Sequence, residues 1–315
     1  MQFIDAEAVH RLLDYPSLIA ALREAHRMNA MPASQALVMD EPGAGENKFV
    51  SLLAWAGGDV VASKLVGVFP GNLSLREPQP SVQGLVALFD GRTGAPLGVC
   101  DGTSLTFRKT AADSALGASF LARQDAEVLL VLGAGGLAPH VIEAHRAARP
   151  SLRRVLVWNR TMQRAEALVA ELGPAVEAEA VIDLDAALGE ADIVSAVTMA
   201  TVPIIRGARL KPGAHVDLIG AYRPDMREAD DDVVRRARLF VDTRSGCTGS
   251  GEIADPLARG LISIDDIEAD LFELCAGTHE GRRSPDEITM FKNVGGAHLD
   301  LFTARHLLAR ARADG

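Results

Sequence analysis

The stretch "VLLVLGAGGLAPHVIEAHRAARPSLRRVLVWNRT", residues 128–161, contains the motif that decides the fold. An apolar run ending at Leu132 leads into "GAGGLA", which fits the pattern G-x-G-x-x-A, and a helical pattern follows directly. In such a strand–turn–helix unit the first glycine permits a tight turn, the second lets the backbone approach a pyrophosphate, and the small last residue allows close helix packing. Free N–H groups at the start of the helix also favour phosphate. The motif predicts that a dinucleotide contacts Gly133, Gly135, Gly136, Leu137 and Ala138; a purely structural turn is the alternative.

The second strand of this unit ends without the acidic residue that NAD-selective sites use. In those sites a carboxylate after the second strand binds the ribose 2′-hydroxyl, whereas a nearby arginine accommodates a 2′-phosphate. Here Asn159 follows "VLVW", and Arg160, Thr161 and Arg164 come next. Because charge-assisted hydrogen bonds to phosphate are strong, this pattern favours NADP(H), with NAD(H) left open. Alternatively, the two arginines are solvated charges at the start of a helix.

Strand and helix patterns alternate from the glycine motif to about residue 243, which is typical of a doubly wound parallel sheet. The flanking regions differ: a helical pattern covers residues 5–30, short strand patterns cover 47–100, and helices cover 104–123 and the end of the chain. The sequence therefore predicts an α/β fold in which a Rossmann-type domain, residues 123–291, is inserted in an α+β domain formed by residues 1–122 and 292–315.

Composition excludes several classes of function. Of the 315 residues, 48% are hydrophobic and 23% charged, and the net charge of −10 argues against a nucleic-acid partner, which needs a basic surface. The three cysteines are far apart, and His140 and His145 lack the spacing of a helical zinc motif, so no disulfide framework or metal is expected. Neither a signal peptide nor an 18-residue apolar run is found. We expect a cytoplasmic protein that does not bind a membrane.

Eight sequence blocks, in order along almost the whole chain, resemble the ornithine cyclodeaminase/μ-crystallin family. They are "KLVGVFPGN" (64–72), "PSVQGLVALFD" (80–90), "DGTSLTFRKTAADSALGASFLAR" (101–123), "GAGGLA" (133–138), "VTMATVPII" (197–205), "KPGAHVDLIGAYRPDMREAD" (211–230), "VDTRSGCTGSGEI" (241–253) and "FKNVGGAHLD" (291–300). The resemblance implies an NAD(P)H-dependent oxidoreductase that acts on a C=N or CH–NH bond of a small imino or amino acid. It also implies a homodimer in which the first region, completed by the last helix, provides substrate contacts and the dimer interface.

Within that resemblance, Lys64 matches the family's catalytic, carboxylate-contacting lysine. A single lysine in the apolar run "VVASKLVGVF" also suggests a site on its own, because burial would lower its pKa and allow proton exchange near neutral pH. The alternative is a lysine on a solvated strand face. Thr198, Met199 and Ala200 are expected beside the nicotinamide. Asn293 either contacts the cofactor or only helps to turn the chain.

Three positions depart from the family pattern. Lys109 occupies the place of the substrate-binding arginine of "T-x-x-R-T-A-A". A lysine cannot clamp a carboxylate through two parallel N–H bonds, but it can still neutralise the charge of one, so Lys109 is expected to bind the substrate. Arg108 would contribute if the helix is turned. Near Pro32 the family often has another arginine, whereas this chain has Ser34, and Gln35 is a candidate replacement. Tyr222 stands where ornithine cyclodeaminases have an aspartate, and a phenol with a pKa near 10 is a poor base at neutral pH.

These departures disfavour cyclodeamination and favour simple imine reduction. The segments "TAADSALGA" (110–118) and "FKNVGGAHLD" (291–300) also resemble those of Δ1-pyrroline-2-carboxylate reductases. The resemblance thus implies NADPH-dependent reduction of a small cyclic ketimine acid, foremost Δ1-pyrroline-2-carboxylate to L-proline, with Δ1-piperideine-2-carboxylate as a further candidate. One alternative is an NAD(H)-dependent ornithine cyclodeaminase or alanine dehydrogenase. Another is a μ-crystallin-like cofactor-binding protein with little catalysis.

Overall fold

The computed structural model describes residues 2–28, 31–43, 45–77 and 79–314. The chain divides into two compact units: the first comprises Met1–Ala25, Ala30–Lys109 and Gly296–Gly315, and the second His26–Asn29 and Thr110–Gly295. The predicted boundary after residue 122 lies just beyond the helix Gly102–Leu121, whereas the two units divide within this helix, between Lys109 and Thr110. One unbroken helix runs across the division, so no break in the sequence pattern marks it.

Strands and helices of the described residues have the following bounds in chain order: β1 (Gln2–Ile4), α1 (Ala6–Leu12), α2 (Tyr15–Arg27), β2 (Ala33–Asp40), β3 (Lys48–Ala56), β4 (Val60–Val68), β5 (Val82–Asp90), β6 (Pro96–Asp101), α3 (Gly102–Leu121), β7 (Val128–Leu132), α4 (Ala138–Ala148), β8 (Arg154–Trp158), α5 (Met162–Leu172), β9 (Glu177–Ala180), α6 (Leu184–Glu190), β10 (Ile193–Ala196), β11 (His215–Leu218), α7 (Asp231–Arg236), β12 (Ala237–Val241), α8 (Gly251–Ala258), β13 (Ile267–Asp270), α9 (Leu271–Ala276), β14 (Ile288–Lys292) and α10 (Ala297–Asp314).

The first unit is built on a six-stranded sheet with the order β1-β6-β5-β4-β3-β2. All neighbours are antiparallel except β1, which pairs parallel to β6. Alternate residues of β4, including Ala62, Lys64 and Val66, are buried, and α10 packs against this strand. Because alternate side chains of a strand point to opposite faces, Lys64 lies on the covered face of the sheet.

The opposite face of the same sheet is apolar and exposed. Paired residues of neighbouring strands point to the same face. The register pairs Leu37 with Ser51, Ser51 with Leu65 and Leu65 with Leu85. Because Leu65 directly follows Lys64 in β4, this row of side chains lies on the face opposite to Lys64. Six large side chains on this face are 38–60% exposed in the unit. We call the set the apolar sheet face: Leu37, Met39, Phe49, Leu53, Trp55 and Leu85.

The second unit contains an eight-stranded parallel sheet with the order β13-β12-β14-β11-β10-β7-β8-β9. The chain runs outward from β7 through β8 to β9, and then returns to the other side of β7 at β10. The order therefore reverses between β7 and β10, and ligands of doubly wound sheets bind at the carboxyl ends of strands at such a point. The predicted Rossmann-type α/β fold is confirmed.

Several features of the second unit bear on earlier expectations. Three consecutive acidic residues lie at the start of α7, where Asp230 is the N-cap and its side chain accepts from Val233 N–H. His145 is fully buried, with Nε2 3.6 Å from the Asp217 carboxylate. None of the helices in the described ranges is long and apolar enough to cross a membrane. Those ranges also hold no group of three or more His, Cys, Asp or Glu side chains placed to bind a metal ion.

Candidate active site

The glycine turn after β7 has the backbone geometry that a phosphate-binding turn needs. Gly133 adopts φ +104°, where side chains are strained, and its N–H donates to Trp158 O at 2.9 Å. A Cβ at Gly133 would also lie 3.1 Å from Val197 O, so there is little room for a side chain. At Gly135, in contrast, a Cβ would meet no atom within 4 Å, so the space before this backbone is open. The turn is tight on one side and accessible on the other.

A cavity of about 330 Å³ opens at this turn. It lies at the carboxyl ends of β7, β8 and β10, as the strand order leads one to expect. Most of the sequence-predicted cofactor residues line it. The lining residues are Gly133, Ala134, Gly135, Trp158, Asn159, Arg160, Arg164, Val197, Thr198, Met199, Ala200 and Ile204.

The remaining predicted cofactor residues lie around this cavity or away from it. Gly136 lines a neighbouring cavity, also bordered by Arg164. Leu137 and Ala138 form the start of α4, and Thr161 precedes the first residue of α5. Asn293 is buried, and its side-chain amide donates to Thr110 O and Ser114 Oγ, both at 3.1 Å. These bonds engage the amide nitrogen and leave the amide oxygen for any further contact, so a cofactor contact by Asn293 stays a prediction.

The end of the cavity at β8 is polar and cationic. Asn159 Oδ1 accepts from Ala134 N–H at 3.3 Å, and Asn159 Nδ2 donates to Thr161 O at 2.8 Å, so this side chain links the glycine turn to the start of α5. Arg160 and Arg164 are exposed, and neither guanidinium forms an ion pair within the described ranges. The lining set contains no acidic residue. An open glycine backbone, a helix start and two cations together fit a phosphate-bearing dinucleotide.

The first unit contains a second cluster, built on three buried charges. Lys64 of β4 donates from Nζ to Thr106 Oγ1 at 2.7 Å and lies 3.5 Å from Asp300 Oδ1 of α10. Lys109 Nζ of α3 lies 3.0 Å from the same oxygen. Lys64, Lys109 and Asp300 are only 7%, 4% and 1% exposed. Thr106 donates its own hydroxyl hydrogen to Gly102 O at 2.6 Å, which leaves a lone pair directed to Lys64.

The charges of this cluster do not balance. Two ammonium groups face one carboxylate, which leaves a net charge of about +1 when both lysines are protonated. Burial lowers the pKa of Lys64 to about 8; Asp300 opposes this shift and Lys109 adds to it. An uncompensated buried charge is costly, so the cluster is suited to accept one further anion.

A small cavity of about 100 Å³ lies in front of Lys64. Lys64, Thr103 and Thr106 provide its polar groups, and the other lining residues are Val66, Val82, Gly84, Gly102 and Phe107. The site therefore combines one buried cation with mostly apolar walls, as small-molecule sites commonly do. Its size favours a compact ligand.

Two predicted substrate contacts point elsewhere. Arg108 donates from Nε to His10 Nδ1 at 3.1 Å, and its guanidinium lies 4.5 Å from the ring centre of Tyr15. The side chain is thus directed towards α1 and α2, because residue 108 lies about 100° around α3 from residue 109, and it does not line the Lys64 cavity. The structure does not support Arg108 as a substrate contact.

Gln35 is the second such contact. It pairs with Leu53, which pairs with Ser63, so Gln35 shares the apolar sheet face and points away from Lys64. Ser34 occupies the Lys64 face instead, because it pairs with Ala54 and through it with Ala62. Gln35 therefore does not replace the missing arginine within its own chain. Tyr222 belongs to the second unit, in the loop after β11, and is 55% exposed.

Two residues of the Lys64 cluster had no role assigned from sequence. Thr106 precedes Lys109 by three residues, a spacing that places both on one side of a helix. The proximity of Thr106 to Lys109 could therefore have been deduced from the sequence. Asp300 lies 191 residues after Lys109. An acid within an otherwise apolar stretch of a buried helix was the available signal, but only the tertiary structure identifies its partners.

Comparison with known proteins agrees with this architecture. Residues 6–315 match the profile of the Ornithine cyclodeaminase/mu-crystallin family. The chain is 42% identical over 309 residues to the Δ1-pyrroline-2-carboxylate reductase of Paracoccus denitrificans (97% of this chain, 96% of that one). The structure of the Thermococcus litoralis Δ1-pyrroline-2-carboxylate reductase in complex with NADH and L-proline superimposes with a TM-score of 0.91 at 28% identity (100% and 98% covered). An archaeal alanine dehydrogenase dimer with bound NAD gives 0.90 at 26% identity (100% and 97%).

Proposed function

Because the chain belongs to the ornithine cyclodeaminase/mu-crystallin family, we propose that it reduces small cyclic ketimine monocarboxylates, with Δ1-pyrroline-2-carboxylate to L-proline as its main reaction. The observation that carries the proposal is the buried cluster of two lysines and one aspartate. Its residual positive charge complements one carboxylate, and the relatives with this substrate are similar over nearly their whole length.

Reduction of a ketimine requires a hydride at the imine carbon and a proton at the nitrogen. A nicotinamide cofactor, when bound, supplies the hydride. Lys64 is the candidate proton donor: it is buried, it lines the small cavity, and its pKa of about 8 lies near ambient pH, where general acid–base catalysis is most effective. Lys109 and Asp300 set the charge around it, and Thr106 orients its ammonium group through the 2.7 Å hydrogen bond.

The cavity walls support a compact monocarboxylate. Among the described residues that line it, Lys64 is the one cation, and five of the eight lining residues are apolar or glycine. A second substrate carboxylate would thus be buried without a partner, which is strongly unfavourable. A five-membered ring with one carboxylate fits this combination, and the six-membered homologue differs from it by one methylene group.

We propose NADP(H) as the preferred cofactor. The support comes from the β8 end of the cavity, where Asn159 replaces the usual acid and Arg160 and Arg164 offer two cations. Similar structures contain NADH or NAD, so this preference rests on residues of the present chain. Gly133 and Gly135 would hold the pyrophosphate, and Thr198 to Ala200 the nicotinamide end.

We also propose a homodimer formed through the apolar sheet face. Contiguous exposed apolar patches of this kind mark interaction surfaces, and six large side chains share this face. A similar archaeal alanine dehydrogenase is a dimer. A second copy of the chain is the proposed partner because a two-fold axis lets the same face bury itself on both copies.

The decisive test measures cofactor oxidation by the purified protein. NADPH and NADH would each be tested with Δ1-pyrroline-2-carboxylate, with Δ1-piperideine-2-carboxylate, and with pyruvate and ammonia. L-Ornithine would be tested with the oxidised cofactors. Rapid NADPH oxidation with the five-membered imine is expected. Ammonia release from ornithine, or turnover only with pyruvate and ammonia, would support one of the alternative activities, and binding of cofactor with no turnover would support a binding protein.

A further inference from the structure

Glu228 is a fully buried carboxylate that receives four hydrogen bonds from two loops. Its Oε1 accepts from Thr198 N–H at 2.7 Å and from Thr198 Oγ1 at 2.8 Å. Its Oε2 accepts from Gly220 N–H at 2.8 Å and from Ala221 N–H at 3.2 Å. Each carboxylate oxygen therefore accepts hydrogen bonds from a different loop.

Both loops lie at functional positions of the second unit. Thr198 follows β10 and lines the cofactor cavity together with Met199 and Ala200. Gly220 and Ala221 follow β11, the parallel neighbour of β10, and directly precede Tyr222. The loops are packed so closely that a Cβ at Gly220 would lie 1.8 Å from Thr198 O. A small displacement of one loop must therefore affect the other.

Two further buried charges fix the surroundings of this carboxylate. Glu252 Oε1 accepts from the backbone N–H groups of Glu228 and Ala229. Lys292 Nζ donates to Leu218 O at 3.1 Å and Ile219 O at 3.3 Å, at the end of β11. Glu252 and Lys292 are both fully buried. The backbone that carries Glu228 and the strand end that precedes the second loop are thus both held in place.

We propose that Glu228 is a positioning residue of the cofactor site: its carboxylate joins the Thr198 loop to the Gly220 loop and so holds the cavity wall that contacts the nicotinamide end. This inference rests on the proposed function for the identity of the cofactor. Glu228 is not among the residues that line the cofactor cavity, so we infer that it acts through the two loops.

The donor pattern explains why a carboxylate is required. All four groups donate, and an ionised carboxylate accepts at both oxygens. A glutamine has one acceptor oxygen. Its NH₂ group would therefore face the two donors of one loop, and the two hydrogen bonds to that loop would be lost. Loss of hydrogen bonds at buried donors changes an equilibrium by about five- to a hundredfold.

Glu228→Gln and Glu252→Gln form a matched pair for the test. Both remove one negative charge from the same buried cluster, but Glu252 uses only Oε1 to accept hydrogen bonds, and its Oε2 has no partner in the described residues. A glutamine can retain that role at position 252. Dissociation constants of NADPH and NADH would be measured by nucleotide fluorescence at pH 8 without substrate, and hydrogen exchange would be followed in residues 197–204 and 219–224.

For Glu228→Gln we expect about tenfold weaker cofactor binding and faster exchange in both loops, whereas Glu252→Gln stays within about threefold of the wild type. Wild-type affinity and unchanged exchange in Glu228→Gln would overturn the inference. If the wild type binds neither cofactor, the proposed function fails, but the exchange data still test the link between the loops.

Should Glu228→Gln not fold, the pH dependence of loop exchange in the wild type provides the second measurement. Burial raises the pKa of Glu228 to about 7, with Lys292 opposing this shift and Glu252 adding to it. Protonation removes one acceptor, so exchange of both loops, corrected for its intrinsic rate, should increase as pH falls through about 7. In Glu252→Gln this midpoint should move to lower pH. Exchange that is independent of pH in both proteins would count against the link.

Discussion

The first prediction separates the roles of the two buried lysines. Lys64→Met and Lys109→Met each replace an ammonium group by an uncharged side chain of similar length. Each reduces the net charge of the cluster from about +1 to about 0 and leaves Asp300 with one remaining lysine, at 3.0 Å in the first variant and 3.5 Å in the second. The two variants are therefore matched in charge and differ in which lysine lines the small cavity.

The magnitude follows from the charge and the burial. Two unit charges about 4 Å apart interact by about 4 kcal/mol at an effective dielectric constant of about 20, which corresponds to about a thousandfold in affinity. Both variants should therefore raise KM by up to this factor. Proton transfer from a positioned group contributes a further factor of about 10² to 10⁴ in rate, and of the two lysines only Lys64 lines the small cavity.

Steady-state kinetics with the imine and NADPH would measure the two effects separately. We expect Lys109→Met to raise KM while kcat falls less than about tenfold. Lys64→Met should raise KM similarly and lower kcat by at least about a hundredfold. Circular dichroism and thermal unfolding would establish that both variants are folded.

Two outcomes would refute the reasoning. If both variants lowered kcat equally, the cluster would act as a unit and Lys64 would have no separate role in proton transfer. If Lys64→Met changed KM alone, its role would be limited to carboxylate binding. In the wild type, kcat/KM for reduction should also fall as pH rises through about 8, because the protonated form of Lys64, whose pKa is about 8, is the active one.

Three further predictions concern the cluster, the cofactor and the dimer. Asp300→Asn removes the charge that opposes the lowered pKa of Lys64, so the alkaline limb of kcat/KM should move to lower pH; an unchanged limb would show that another group titrates. Asn159→Asp places a carboxylate at the cationic end of the cavity, where it would repel a 2′-phosphate by about 1–4 kcal/mol per unit charge. The dissociation constant of NADPH should therefore rise relative to that of NADH by at least about fivefold. A lack of shift in fluorescence titrations would argue against a 2′-phosphate at this position. Leu53→Asp on the apolar sheet face should yield a folded monomer in light scattering. Ile182→Asp, at an 80% exposed site of the second unit, is the control and should leave the mass unchanged. A Leu53→Asp protein that stays dimeric would exclude this face as the dimer interface.

The sequence was sufficient for the fold class because the deciding signals are local. The glycine motif and the alternation of strands and helices required no tertiary information. The unpredicted strands carry weak local signals: β9 is "EAEA", with residues that are poor strand formers, and β14 is buried at every position and so shows no alternation. β2 is exposed at every position, and its pattern does not distinguish a strand from a loop.

The site was predictable to the extent that a residue's function depends on its own surroundings. Lys64 was predicted from its match to the family's catalytic lysine and from its position as a lone charge in an apolar strand, and the structure places it in a buried cluster with Lys109 and Asp300. The choice between Arg108 and Lys109 depended on the rotation of α3, which contacts with His10 and Tyr15 reveal. The exclusion of Gln35 depended on strand register, since a shift of one residue exchanges the two faces of a sheet.

The replacement of arginine by Lys109 has a structural consequence for selectivity. An arginine could have clamped a substrate carboxylate through two parallel bonds, whereas Lys109 is held by Asp300 at 3.0 Å. If the proposed function is correct, recognition of the substrate carboxylate would therefore depend on the charge of the cluster and on Lys64, and only contacts with the apolar walls would discriminate between ring sizes. Since one methylene in an apolar pocket discriminates by about 10- to 200-fold at most, while an unpaired buried carboxylate costs far more, this site should distinguish mono- from dicarboxylates more sharply than five- from six-membered rings.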